Sequence, residues 1–470
     1  MSFSRAAPGW ARELRAPCHS QRPLSKAARM ESAAPQETLF EPGFEPGAPL
    51  RGRARVPGDK SISHRALMHC ALAVGRSRIE GLSQGEDVAA TAAAMRAFGA
   101  GVERRDDGDV EVDGVGVGGL LQPQGVLDMG NSGTSARLLM GLAATHPITA
   151  TFVGDASLSR RPMERVAGPL RRTGAEIQTA PCGTLPLTVR GLCPAVPLAT
   201  RLEVASAQVK SALLLAGLNT PGVTRVIEPV PTRDHTERML RLFGAELAVE
   251  GEEIVLRGEA ELRPQHLRIP GDPSAAAFLA VAALIVPGSD VTIEAVGTNP
   301  HRTGLFTVLR EMGADIACED ERELSGEPVA DLRVRHSPLR AVDVPPELVP
   351  AMIDEFPIFF VAAAFAAGTS RTSRLAELRV KESDRIAAMA AGLAAIGVPV
   401  EESADGLVVH GSGGDPLPGG ATIASRLDHR IAMSFAVAGL HARAPVGIDD
   451  FSPAATSFPG FIETLRSLQP

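Results

Sequence analysis

Tyrosine is absent from the 470 residues, tryptophan occurs once and phenylalanine 16 times, so aromatic rings make up 4% of the chain. That scarcity excludes base-stacking platforms, aromatic cages and aromatic membrane belts unless phenylalanine alone builds them. Ligand recognition must therefore rest on charge and backbone. Cysteine is also scarce: Cys18, Cys70, Cys182, Cys193 and Cys318 are scattered, with no C-x-x-C or Cys/His spacing suited to zinc or redox work. They read as reduced thiols of a cytoplasmic protein. Nor is there an excess of positive charge, since 47 Lys and Arg face 55 Asp and Glu for a net charge of −8. That balance argues against a nucleic-acid footprint. Apolar runs such as 275–286 and 358–367 fall short of the roughly 18 to 20 residues of a membrane span.

What is present is a globular composition, 44% hydrophobic and 22% charged, in a chain long enough for two to four domains at about 150 residues each. Before Met30, Arg5, Arg12, Arg15, Arg22, Lys26 and Arg29 face Glu13 alone, which superficially resembles a transit peptide. The second methionine and the Pro/Gly-rich stretch 34–52 favour a plainer reading, in which 1–48 is a disordered arm and linker carrying Trp10.

One pattern recurs six times at intervals of roughly 70 residues: a small polar loop, an apolar helix, a turn and a β-branched strand. Its markers are Gly58, Gly130, Ser206, Gly271, Asp354 and Asp428. A second, amphipathic helix follows in each copy, often ending in Gly, and then a short β-rich stretch. Such units bury their apolar helices only against one another, with sheets outside and helices within. Two domains of three copies are the natural split. The polar loops then face a common cleft, and helix N-termini are ready anion sites because free N–H groups and the macrodipole point there.

Three segments carry a family resemblance. Val56-Pro57-Gly58-Asp59-Lys60-Ser61-Ile62-Ser63-His64-Arg65, Gly130-Asn131-Ser132-Gly133-Thr134 and Arg379-Val380-Lys381-Glu382-Ser383-Asp384-Arg385 resemble the three signatures of the EPSP synthase family, across about residues 50–465. Ser206-Ala207-Gln208-Val209-Lys210 and Arg233-Asp234-His235-Thr236-Glu237 look closer to the second bacterial class. The resemblance implies a two-domain inside-out α/β barrel of three βαβαββ repeats per domain, with 59–269 in one domain and 49–58 plus 270–470 in the other. It implies transfer of the enolpyruvyl group of phosphoenolpyruvate to the 5-hydroxyl of shikimate 3-phosphate in the cleft. It also implies a cytoplasmic monomer with two small-molecule substrates, no metal or organic cofactor, and no nucleic-acid or membrane partner.

Residue roles follow from the same resemblance. Lys60, alone a solvated surface charge, would contact both substrates, with Ser61 and Arg65 on shikimate 3-phosphate. Gly133 would lie beside phosphoenolpyruvate, where the missing Cβ lets a ligand approach. Arg161, in what looks like a helix start with Pro162 at its first position, would bind phosphoenolpyruvate. Ser206 and Ala207 would hold the phosphate of shikimate 3-phosphate, although a plain N-cap fits Ser206 equally well. Gln208 would touch both ligands, and Arg233 shikimate 3-phosphate. Asp354 precedes an almost wholly apolar helix, where a carboxylate needs a partner or a task; an N-cap is the plain reading and general base the family role. Lys381 and Arg385, four apart, read as one face of a helix. Lys381 would meet shikimate 3-phosphate, Arg385 and Arg430 phosphoenolpyruvate, and Glu382 would carry protons at the methylene carbon. His429 alone reads as structural.

Departures are few. Thr456 stands where many first-class members carry Lys, and His301 replaces a Thr more usual in the second class. Gly133 stands where herbicide-tolerant second-class enzymes carry Ala, which implies tighter glyphosate binding here. Alternative readings are the sibling UDP-N-acetylglucosamine enolpyruvyl transferase, disfavoured by the lack of Cys around 160–162, and a non-catalytic anion-binding protein of the same fold.

Overall fold

The computed structural model describes residues 46–469. The arm assigned to 1–48 lies almost wholly outside the described residues, as do Trp10 and Cys18. Six helices are buried along most of their length: Lys60–Leu72, Gly133–Ala144, Ala207–Leu218, Pro273–Ile285, Phe356–Phe365 and His429–Gly439. Every residue of Pro273–Ile285 and Phe356–Phe365 is buried, because a helix with no polar face is stable only inside a core. Five of the six begin at a side-chain cap: Asp59 accepts from Ile62 N, Ser132 from Ser135 N, Ser206 from Val209 N, Asp272 from Ser274 N and Asp428 from Arg430 N. The fifth helix differs. Glu355 occupies its cap position and makes no capping bond, so Asp354 is not an N-cap.

A second helix follows in each unit: Glu86–Ala97, Glu164–Arg171, His235–Leu242, Gly304–Glu311, Arg385–Ala395 and Phe461–Leu468. The first four units each form a four-stranded open sheet that combines one parallel strand pair with antiparallel pairs. In the second, for example, the order is Leu127–Asp128, Thr149–Val153, Thr184–Arg190, Glu176–Ala180. Burial alternates along Thr184–Arg190, as expected of a strand with one face on the helices and one on solvent. In the fifth unit the first strand shrinks to bridges at Arg340 and Asp343. The sixth keeps two short parallel pairs and no hairpin among the described residues.

Buried apolar side chains form two cores. One runs from Ile62 to Ile269; the other contains Leu50, Ala54 and residues from Ala275 to Leu468. The chain exchanges strands between them. His266–Arg268 pairs in parallel with residues 78–80, while Arg51–Arg55 pairs in parallel with residues 290–294. The two crossings run side by side, with Asp59 N donating to Pro270 O at 2.8 Å and Asp272 N to Pro57 O at 2.9 Å. Gly58 pairs with Gly271 there, and a Cβ on Gly58 would fall 2.0 Å from Gly81 O, so only glycine fits. Among the described residues no single helix is long and apolar enough to cross a membrane.

Candidate active site

The polar loops meet, as the repeat pattern predicted, around a cavity of about 400 Å³. Residues at or just before all six apolar-helix N-termini line it: Lys60 and Ser61, Gly133 and Thr134, Ser206 to Gln208, Asp272 and Ser274, Ile353 and Asp354, His429 and Arg430. Thirteen of the fourteen predicted site residues are on its wall. Arg65 is not among the lining residues. It is buried behind Ser61, donating to Ser61 O at 2.8 Å, Ser211 Oγ at 2.7 Å and Thr236 Oγ1 at 2.7 Å. Burial, reinforced by the charge of Arg233, pushes its guanidinium down to about 10, so it stays cationic at neutral pH.

Two local readings are corrected. Pro162 is not the first residue of a helix: a 3₁₀ turn covers Leu158–Arg160, Arg161 is extended, and the helix begins at Glu164. The extended backbone leaves the Arg161 guanidinium bonded to Asn131 Oδ1, to Asn131 O at 3.2 Å and to Ser157 Oγ at 3.1 Å. Likewise Lys381 and Arg385 do not share a helix. Lys381 ends the 3₁₀ turn Ala376–Val380, and Asp384 caps the helix that begins at Arg385, accepting from Ala387 N at 3.0 Å. A local capping bond outcompetes continued helix here. The two cations converge all the same, with Lys381 Nζ 3.3 Å and Arg385 Nη1 3.7 Å from Asp354 Oδ1.

Asp354 is the most heavily clasped group. Its other oxygen pairs with Arg233 Nη2, and its carbonyl accepts from Arg430 Nη1 at 2.9 Å. Burial alone would raise its pKa, but Lys381, Arg233, Arg430 and Arg385 overcome that and hold it well below the usual carboxylate range. Glu382 is similar: Arg385 Nη2 lies 2.6 Å from Oε2 and Arg161 Nη1 3.5 Å from Oε1. Burial opposes its ionisation, and Arg385, Arg161, His429 and Lys60 together hold it well below normal. Lys60 Nζ pairs with Asp87 at 3.0 Å. Gln208 joins neighbouring units, donating to Thr134 Oγ1 at 3.0 Å and accepting from Arg137 at 2.9 Å.

The sequence reading missed Asp87, Arg137, Arg165 and Glu377, all on the cavity wall. Arg137 had a signal, since a lone Arg within the apolar run Gly133–Ala144 has no solvent to face. Burial, with Arg165 and Arg161 nearby, pushes it down to about 9. Several buried nitrogens on the wall make no hydrogen bond within the protein: Arg137 Nε, Arg161 Nε, Arg165 Nε, Arg385 Nη1 and His429 Nε2. Unmatched buried donors are costly unless ligand oxygens meet them.

Such a cleft, where helix N-termini converge and Asp354 and Glu382 are each gripped by several cations, defines an enzyme that holds polyanions while moving protons. A family model described as EPSP synthase (3-phosphoshikimate 1-carboxyvinyltransferase) matches residues 44–465. The 3-phosphoshikimate 1-carboxyvinyltransferase of Sphingopyxis alaskensis is 65% identical over 442 residues, covering 92% of this chain and 99% of its own. That of Novosphingobium aromaticivorans is 64% identical over 432 residues, with 90% and 98% covered. A solved structure of EPSP synthase from Acinetobacter baumannii superposes with a TM-score of 0.81 at 46% identity, covering 92% of this chain and 98% of its own. The enolpyruvyl transferase NikO of Streptomyces tendae shares the fold, with a TM-score of 0.72 at 20% identity over 92% and 97% of the two chains. The chain belongs to the EPSP synthase family.

Proposed function

We infer that this chain transfers the enolpyruvyl group of phosphoenolpyruvate to the 5-hydroxyl of shikimate 3-phosphate and releases phosphate, acting on these small solutes as a cytoplasmic monomer. The observation that carries the reading is the convergence of Arg233, Lys381, Arg385 and Arg161 on two wall carboxylates, Asp354 and Glu382. A phosphate or carboxylate entering the cavity competes for those cations. Each cation it draws away restores basicity to Asp354 and Glu382, so binding itself prepares the proton carriers.

In that reaction Glu382 takes up a proton from solvent once the ligand draws its cations away; Asp354 then takes the 5-hydroxyl proton as the oxygen attacks C2 of phosphoenolpyruvate, while Glu382 delivers its proton to the methylene carbon. In the second half Glu382 recovers a proton from the resulting methyl group, the C2 to phosphate-oxygen bond breaks, and phosphate departs with the proton held by Asp354. Lys60, Arg161, Gln208, Arg385 and Arg430 hold phosphoenolpyruvate beside Gly133; Lys60, Ser61, Ser206, Ala207, Gln208, Arg233 and Lys381 hold shikimate 3-phosphate. Arg65 serves by fixing Ser61, whose carbonyl it binds. The two cores support the division into 59–269 and 49–58 plus 270–470.

Phosphate release measured with each substrate omitted in turn tests the reading, because release without shikimate 3-phosphate would exclude it. A Cβ on Gly133 would lie 2.7 Å from Arg137 Nη1 and 3.3 Å from Arg161 Nη1. Glyphosate should therefore inhibit the enzyme more strongly than a Gly133→Ala variant; equal inhibition constants against phosphoenolpyruvate would contradict this.

A further inference from the structure

We propose that Arg302, which belongs to no substrate contact named above, is a positioning residue that locks the two chain crossings together and thereby aims Lys60 and Asp354; the role rests on the enolpyruvyl-transfer reading. Asp59 and Asp272 are buried caps of helices in different cores. Two buried carboxylates brought this near one another need a shared cation. Arg302, 4% exposed, supplies it, with Nη1 2.9 Å from Asp59 Oδ2 and Nη2 3.1 Å from Asp272 Oδ1 and 2.8 Å from Ser274 Oγ. The planar fork meets both caps at once, which a lysine ammonium does not.

Both partners of Nη2, Asp272 and Ser274, lead on to a reacting group. Asp272 Oδ2 accepts from Lys60 N at 3.1 Å, so the backbone of Lys60 is held by the cap of the other core. Ser274 Oγ donates to Glu355 Oε1, which lies 3.8 Å from Arg430 Nη1, and Arg430 in turn grips Asp354 O. Arg302 reaches the cavity wall, yet its donors turn onto protein groups. Arg137 on the same wall has no carboxylate in an ion pair with it among the described residues. Arg302 itself is fixed by the Asn299 turn, where His301 N meets Asn299 Oδ1 at 3.0 Å and Arg302 N meets Asn299 O at 2.8 Å.

The test compares the full chain with Arg302→Lys and Ser274→Ala, measuring kcat and both KM values by phosphate release, shikimate 3-phosphate binding by calorimetry, and folding by circular dichroism. Misplacing reacting groups by about 1 Å costs on the order of 100-fold in rate, so Arg302→Lys should lose about that in kcat and Ser274→Ala about 10-fold. Both KM values and the calorimetric affinity should stay within about 5-fold of wild type. If kcat of both folded variants stays within about 3-fold of wild type, or if affinity falls as far as kcat, the positioning role is overturned. The Ser274→Ala arm decides the matter should Arg302→Lys fail to fold. An inactive wild type would instead sink the transfer reading, so the two failures are distinguishable.

Discussion

The two walls of the cavity are charged differently. Between residues 60 and 233 the lining offers Lys60, Arg137, Arg161, Arg165 and Arg233 against the single carboxylate Asp87. Between 272 and 430 it offers Arg302, Arg374, Lys381, Arg385 and Arg430 against Asp272, Asp354, Glu377 and Glu382. The first wall carries a large excess of positive charge; the second is nearly charge-balanced, and cations of both walls hold its Asp354 and Glu382 ionised. They meet through Arg233 with Asp354, Arg161 with Glu382 and Arg165 with Glu377. Carboxylates of one wall thus occupy the positions on the other for which ligand oxygens compete. In the proposed roles both walls hold ligand, through Lys60, Arg161 and Arg233 on one and Lys381, Arg385 and Arg430 on the other, while both proton carriers, Asp354 and Glu382, come from the second.

That asymmetry breaks most visibly at Asp354. Replacing a general base costs roughly 10²–10⁴ in rate, so Asp354→Asn should lower kcat about 10³-fold while calorimetric affinity for shikimate 3-phosphate holds or improves. A raised KM at unchanged kcat would put Asp354 on the binding side instead. The next largest effect concerns stability and belongs to the first core. Lys210 Nζ, 1% exposed, lies 2.8 Å from Glu228 and 2.7 Å from Glu237. Lys210→Met strands two buried carboxylates and should cost about 3–5 kcal/mol in urea unfolding.

Acid should weaken the first core through its buried histidines. His69, in the first core, is pushed down to about 4 by burial, the neighbouring Arg65 charge adding to this. Between its ordinary value near 6.5 and about 4 the unfolded chain binds a proton that the folded chain refuses, so stability falls as pH drops through that window, by roughly 3 kcal/mol for this group. His64 is depressed in the same direction, chiefly by burial. His69→Gln should flatten the fall in thermal midpoint between pH 6.5 and 4.5; an unchanged slope would assign the acid sensitivity elsewhere. The smallest effect concerns the first wall. Arg161→Lys gives up the fork that reaches Asn131 and Ser157, and should raise KM for phosphoenolpyruvate about 10-fold, near 1.4 kcal/mol, with kcat nearly unchanged.

Much of this architecture was legible in the sequence because apolar helices and their polar caps leave local marks. Asp59, Ser132, Ser206, Asp272 and Asp428 all cap where the repeat placed a polar loop. Eight of the thirteen site residues on the cavity wall sit at or just before the apolar-helix termini, while Arg161, Arg233, Lys381, Glu382 and Arg385 stand before or at the start of a second helix. Spacing failed where short-range bonds rewrote the backbone. Lys381 and Arg385 are four apart but separated by the Asp384 cap, and Pro162 lies in a bend between two helical turns. Pairs distant in sequence, such as Lys60 with Asp87 or Arg165 with Glu377, carry no periodic signal at all. Nor does a strand announce its partner. That Arg51–Arg55 joins residues 290–294 is written only in three dimensions.

That last pairing has a consequence for the order of synthesis. Arg51–Arg55 leaves the ribosome early, yet the strand it joins begins at Asp290, when the whole first core up to Ile269 is already made. Over that interval it is a strand without a sheet, the kind of edge that recruits other chains. Its sequence, Arg-Gly-Arg-Ala-Arg, places three like charges in five residues around a single buried alanine. Like charges at this density oppose edge-to-edge pairing of chains, and in the finished sheet Glu294 and Asp331 pair with Arg53 and Arg55. The same arginines that fasten the finished sheet guard the chain while it is being built.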